Sequence, residues 1–186
     1  MMFKLLLALC GLGGLLAGGP GGRRQAPEAA IRFQIVNAGF TVTGTLTGLE
    51  ATGQFDPAHL AQAHIQASVP VSSIQTGISL RDRHLQKPDY FDAEKYPTIT
   101  MQSTSFRQTG REQYEGSFVL TMKGISHEVQ LPFTVSATQE FRGSFRLNRL
   151  DYNLGKTSLI LANDVTVSIS GKLSSALPPT PAPGRG

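Results

Sequence analysis

Residues Ser117–Val135 read SFVLTMKGISHEVQLPFTV. Phe118, Leu120 and Met122 alternate with Ser117 and Thr121. After a short polar interruption, Val129, Leu131, Phe133 and Val135 alternate with Glu128, Gln130 and Thr134. A period of two places each apolar set on one face of a half-buried strand. The link Lys123-Gly124-Ile125 is too short for anything but an antiparallel return. This stretch therefore reads as a hairpin with one apolar face, the repeating unit of an all-β fold.

The same pattern extends outward in both directions. Upstream, Ile31, Phe33 and Ile35 alternate with Arg32 and Gln34, and Phe40, Val42 and Leu46 oppose a row of threonines. Ala63, Ile65, Ala67, Val69 and Val71 form a further set, and Ile99 with Met101 another. Downstream come Phe141, Phe145 and Leu147, then Val165, Val167 and Ile169. Thr109-Gly110-Arg111 and the region of Glu140 supply further tight turns. Eight or nine one-sided strands in chain order close as an up-and-down barrel or stack as a two-layer sandwich. Closure removes exposed edges, which favours a barrel of eight strands. An interior of eight strands is either filled by side chains or holds one small ligand.

One polar segment interrupts the strands. Thr76–Thr100 reads TGISLRDRHLQKPDYFDAEKYPTIT. Ser79 with Asp82 has the spacing of a capping box, and Pro88 ends what precedes it. A short helix is expected over residues 80–86, at one barrel opening. Arg81, Asp82, His84 and Asp92, with Asn148 and Arg149 from a second polar group, are the candidate rim and lid residues. Weak ion pairs among them are expected to hold the lid.

The ends of the chain differ from its middle. Lys4, the apolar run Leu5 to Leu16 and the small residues Ala17, Gly18 and Gly19 have the layout of an export signal over residues 1–19. Residues 20–30 are expected to be flexible, the folded domain to occupy 31–173, and the Pro- and Gly-rich 174–186 to be a disordered tail. Cys10 is the only cysteine of the 186 residues. Leu9 before it fits a lipoprotein anchor less well than ordinary cleavage, so a mature domain without thiols is expected. The periplasm is the expected destination.

The chemistry-bearing groups are sparse. The net charge of +4 is scattered, with no basic stripe for nucleic acid. His84 among Asp82, Asp89 and Asp92 is the best candidate for metal or acid–base chemistry, but it lacks a second histidine at ligand spacing. Helix termini and turns account for the same residues. His59, His64 and His127 are isolated, and no GxSxG, P-loop or GxGxxG motif occurs. No catalytic residue, metal or cofactor is assigned.

Five segments taken together carry a family resemblance. They are residues 33–57, VSSIQTG (71–77), RDRHLQKPDYFDAEKYPTITMQST (81–104), VLTMKGISHEVQLPF (119–133) and FRLNRLDYNLG (145–155). Their order resembles the YceI-like family of lipid- and isoprenoid-binding proteins. The resemblance implies an extended, lipocalin-like antiparallel barrel, common export to the periplasm, and a lumen holding a long isoprenoid or other lipid tail. Two stretches depart from the family pattern, the short link from Ile35 to Phe40 and residues 155–162.

The expected lumen is Phe33, Phe40, Ile65, Val69, Met101, Phe118, Leu120, Met122, Phe133 and Phe145. Such a lining rewards apolar area and little else. The partner expected is a long-chain lipid or isoprenoid, with transient membrane contact and no nucleic acid. A small exported enzyme acting on a lipid or quinone through His84, and a ligand-free stress-protective domain, are the competing readings.

Overall fold

In the computed structural model, residues 30–172 are described. The segment 1–19 expected to be an export signal, Cys10, nearly all of the stretch 20–30 and the expected tail 174–186 lie outside them. Nine strands and one α-helix follow in chain order: β1 Ala30–Asn37, β2 Phe40–Leu46, β3 Glu50–Gln54, β4 His64–Pro70, α1 Ser79–Leu85, β5 Thr98–Gly110, β6 Gln113–Met122, β7 Ile125–Val135, β8 Glu140–Asn148 and β9 Leu161–Lys172. Short 3-10 turns occupy Leu60–Gln62, Val71–Ser73 and Arg149–Tyr152.

All nine strands form one strongly curled antiparallel sheet in the order β2-β1-β9-β8-β7-β6-β5-β4-β3. The expected all-β antiparallel fold with one short helix is present, with nine strands where eight were expected. The extra strand is β3, Glu-Ala-Thr-Gly-Gln, whose five residues are all exposed. It pairs only with β4 and shows no apolar alternation, so the period-two signal is silent there.

The seam between β2 and β3 has no ladder of its own. The same stretch of chain serves both edges: β2 pairs with β1, and three residues later β3 pairs with β4. The segment before α1 covers part of the seam through reciprocal backbone bonds between Thr45 and Gln75, at 2.8 and 3.0 Å. Beside it, Val71 and Ile74 are buried. The wall is also thin between β7 and β8, which pair over only three residues, Phe133 to Val135. The turn Arg149–Tyr152 packs against β7 there, and His127 meets Tyr152 edge-on at 5.0 Å.

The opening hairpin takes the expected form. Phe118 pairs with Val129 and Met122 with Ile125. Lys123 and Gly124 both have positive φ, 50° and 75°, as the two-residue turn that matches strand twist requires.

The connections divide between two ends. The turns after β5 and β7, the start of β1 and the end of β9 lie at one end; the β1–β2 and β6–β7 turns, the Arg149–Tyr152 turn and α1 lie at the other. An aromatic cluster packs toward the first end. Phe55 stands edge-on to Phe106, Tyr114 and Phe133 at 5.4, 5.2 and 5.4 Å. Tyr114 stacks on Phe133 at 5.5 Å, and Phe133 meets Phe141 at 5.0 Å. The edge-to-face pairs of Phe55 suit the ring quadrupoles, and the cluster fills the barrel toward that end.

Candidate lipid-binding lumen

Two adjoining cavities occupy the barrel. The wider one, about 600 Å³, lies beside α1. Its wall includes Phe33, Ile35, Val42, Ile74, Leu85, Phe91, Leu154 and Val165. The narrower one, about 170 Å³, runs deeper among Ile65, Val69, Ile99, Met101, Phe118, Leu120, Phe141 and Phe145. Ile31, Leu46, Leu147 and Val167 line both and join them. Together they fall in the range of small-molecule sites, roughly 300–1,000 Å³.

Of the ten lumen residues expected, seven line these cavities: Phe33 in the wide one, and Ile65, Val69, Met101, Phe118, Leu120 and Phe145 in the deep one. Three do not. Phe40 is 77% exposed. It shares the inward parity of Val42 and Leu46, but β2 begins there beyond the barrel wall, directly after the Ala38-Gly39 turn. Phe133 is buried in the aromatic cluster toward the far end. Met122 is buried at the end of β6 but borders neither cavity.

The polar groups of the mouth are few. Arg81, His84 and Arg149 line the wide cavity, together with Asn37, Thr76 and Tyr90, and no carboxylate does. Helix α1 covers this opening. It starts at Ser79 rather than Leu80, its N-cap position is Ile78, and no side chain caps it. The expected Ser79–Asp82 capping box is therefore replaced by another arrangement. The Asp82 carboxylate accepts the backbone N–H of Thr76 at 2.8 Å and the Thr76 hydroxyl. Arg81 donates from Nε to Thr76 Oγ1 and from Nη2 to the Thr76 carbonyl, both at 2.7 Å. One threonine thus fastens the start of the helix from both sides.

The expected ion pairs across the rim do not form. Among the described residues the ion pairs are His59–Asp56, Arg107–Glu115 and Arg142–Glu140, none of them at the mouth. Asp92 sits at positive φ, 52°, where its carbonyl accepts from the N–H groups of Lys95 and Tyr96. It borders an outer groove with Arg83 and Lys87. The Asn148 side chain accepts the N–H of Leu150 at 2.9 Å and starts the 3-10 turn. His84 lies edge-on to Tyr90 at 5.2 Å. Among the described residues no three His, Cys, Asp or Glu side chains converge.

Arg149 is the residue sequence reasoning placed least well. As a rim and lid residue it was expected to form a weak, partly exposed ion pair. It is instead 3% exposed, and its guanidinium donates only to neutral acceptors. These are the carbonyls of Leu154, Lys156 and Ala162 at 2.8, 2.8 and 2.9 Å, that of Leu161 at 3.4 Å and Asn163 Oδ1 at 3.2 Å. Five acceptors, from the loop before β9 and the start of that strand, offset its desolvation. The loop before β9 and the first residues of that strand are thereby wrapped around one side chain at the cavity wall.

The segment after α1 is tied more firmly than the helix start. Lys123 Nζ donates to the Pro88 and Asn153 carbonyls at 2.7 and 2.8 Å, and Gly155 N–H to the Asp89 carbonyl at 2.8 Å. Tyr152 is 1% exposed, and its hydroxyl has no partner among the described residues. Burial, with the Asp151 charge adding, pushes its pKa up to about 12.

Comparison with known proteins agrees with this architecture. Residues 25–173 match the YceI-like domain family. A UPF0312 protein of Pseudomonas fluorescens is 29% identical over 167 residues, covering 79% of this chain and 82% of that protein. The crystal structure of Burkholderia cenocepacia BcnA superposes with a TM-score of 0.73 at 28% identity, over 76% of this chain and 94% of that one. A polyisoprenoid binding domain from Saccharophagus degradans shares the fold with a TM-score of 0.57 at 13% identity, over 78% of this chain and 94% of that domain.

Proposed function

Because the chain belongs to the YceI-like domain family, we propose that it binds a long-tailed apolar molecule in the barrel lumen. An isoprenoid, a quinone or a fatty lipid would suit. The protein carries or sequesters this molecule without transforming it, as an exported protein of the periplasm. The observation that carries the reading is the pair of joined apolar cavities, the wide one beside α1 and the deep one running toward the aromatic cluster. A tail entering beside α1 passes Phe33 and Leu85, then the neck at Ile31 and Leu147, and ends near Phe118 and Phe141. The likeness to a polyisoprenoid binding domain supports the same ligand class.

The energetics suit storage and exchange rather than chemistry. Each buried CH₂ is worth about 0.8 kcal/mol, so a long tail is held by length alone. The wall offers little hydrogen bonding, so selectivity among tails is low. Met101 adds a pliable surface. Arg81, His84 and Arg149 surround the position of a polar head at the mouth, and the reading gives them binding roles only.

Organic extraction of the purified protein followed by mass spectrometry tests this. A long-tailed apolar compound near one per chain is expected. Phe118→Asp places a charge in the deep cavity, where an unpaired charge is costly, and should abolish retention in protein that keeps its circular dichroism. A folded Phe118→Asp variant with unchanged lipid content contradicts the reading.

A further inference from the structure

The large hydrophobic side chains left exposed among the described residues are Val36, Phe40, Ile78, Leu80, Leu159 and Ile160, at 44, 77, 53, 71, 106 and 63%. They come from three separate segments, and the fold brings all three to one place. The β1–β2 turn meets the loop before β9 through Ala38 N–H and the Ile160 carbonyl at 2.7 Å. Ile78 and Leu80, at the start of α1, line the wide cavity together with Asn37 and Leu161 from those two segments. The exposed apolar residues therefore ring the mouth of the lumen. The opposite end carries polar turns such as Ser136–Gln139, and the described chain both enters and leaves there, at Ala30 and Lys172.

We propose that this apolar rim is a docking surface for an anionic lipid bilayer, through which a tail passes directly between membrane and lumen. The proposal rests on the lumen holding a lipid tail, and adds how the tail gets in. A ring this apolar has a clear occupant in the acyl–headgroup boundary, where such side chains insert. Charge agrees on balance: Arg81, Arg83, Lys87 and Lys156 lie in the segments that carry the apolar residues, against Asp82, which with Arg81 is bonded to Thr76, and Asp92 and Glu94, which share an outer groove with Leu80, Arg83 and Lys87. Basic groups beside an inserted apolar surface favour anionic headgroups. The rim includes the start of α1, whose side-chain bonds run to Thr76, so in this reading the docked face is also the face that opens.

The chain has no tryptophan, so single reporters can be placed at will. Phe40→Trp and Leu159→Trp sit on the rim, and Ala137→Trp sits on the far end. With vesicles of equimolar phosphatidylcholine and phosphatidylglycerol containing brominated acyl chains, quenching is expected at positions 40 and 159 and not at 137. Phe40→Asp combined with Leu159→Asp, neither of which lines a cavity, should lower the vesicle-bound fraction about tenfold or more, with loading from detergent micelles unchanged. Quenching at none of the three positions, or equally at all three, overturns the proposal. So does a blue shift at position 40 that tracks protein concentration without vesicles, which assigns the rim to self-association. Failure of the parent protein to load lipid from micelles instead overturns the lumen reading itself.

Discussion

Phe33 lies flat over Gly44, its cross-strand partner on β2. A Cβ at residue 44 would overlap the ring. Phe33 is half-buried and lines the wide cavity, so the missing side chain at 44 is what lets the ring hug the wall and leave the lumen open. Gly44→Ala should push the ring inward or out of its rotamer. A loss of about 1–3 kcal/mol in stability and a clear fall in bound lipid are expected, read by thermal melting and mass spectrometry. Phe33→Leu in the same background should restore lipid retention.

The Thr76 clamp gives a second test. Thr76→Val removes the hydroxyl that Arg81 and Asp82 share. We expect a modest cost of about 1 kcal/mol and a severalfold faster release of a preloaded fluorescent lipid. Hydrogen exchange should show residues 78–84 opening more readily than 86–97, whose N–H groups at Lys87, Tyr90, Phe91, Ala93 and Tyr96 are bonded. Uniform protection across both segments would show that the helix is a fixed wall.

Arg149 is expected to matter for stability far more than its position in a turn suggests. Arg149→Met leaves the Leu154, Lys156 and Ala162 carbonyls without their donor. A loss of about 3 kcal/mol is expected, measured by denaturant unfolding. Residues 154–163 should lose amide protection first.

Tyr152 predicts an alkaline limit. Its pKa is raised to about 12 by burial, whereas in the unfolded chain it titrates near 10. Between these values the unfolded chain has lost the proton and the folded one keeps it, so stability is full below about pH 10 and falls as pH rises toward 12. Tyr152→Phe should flatten that part of the profile. At neutral pH it should be neutral or stabilising by about 1 kcal/mol, because the hydroxyl has no partner.

What the sequence revealed follows from what periodicity encodes. Alternation finds the face a residue points to, so Phe118, Leu120 and Phe145 were placed inside from spacing alone. It does not encode height along the barrel. Phe40 and Phe133 have inward parity, yet one stands beyond the mouth and the other in the aromatic cluster. The neck residues Ile31, Leu46, Leu147 and Val167 carry the same alternating signal, and alternation alone does not single them out. β3 was invisible because an exposed edge has no apolar face to repeat. Arg149 was out of reach because its partners are backbone carbonyls, which composition cannot display.

The central claim is that a tail runs from the mouth beside α1 through the neck into the deep cavity. Isotope-filtered NOEs between methyl-labelled protein and bound all-trans geranylgeraniol test it most directly. The account predicts contacts from the tail to Ile31, Leu147 and Val167 at the neck, with its far end reaching Ile99 or Leu131. Contacts confined to the outer strand faces, or to rim residues such as Leu159 without any at the neck, would contradict it.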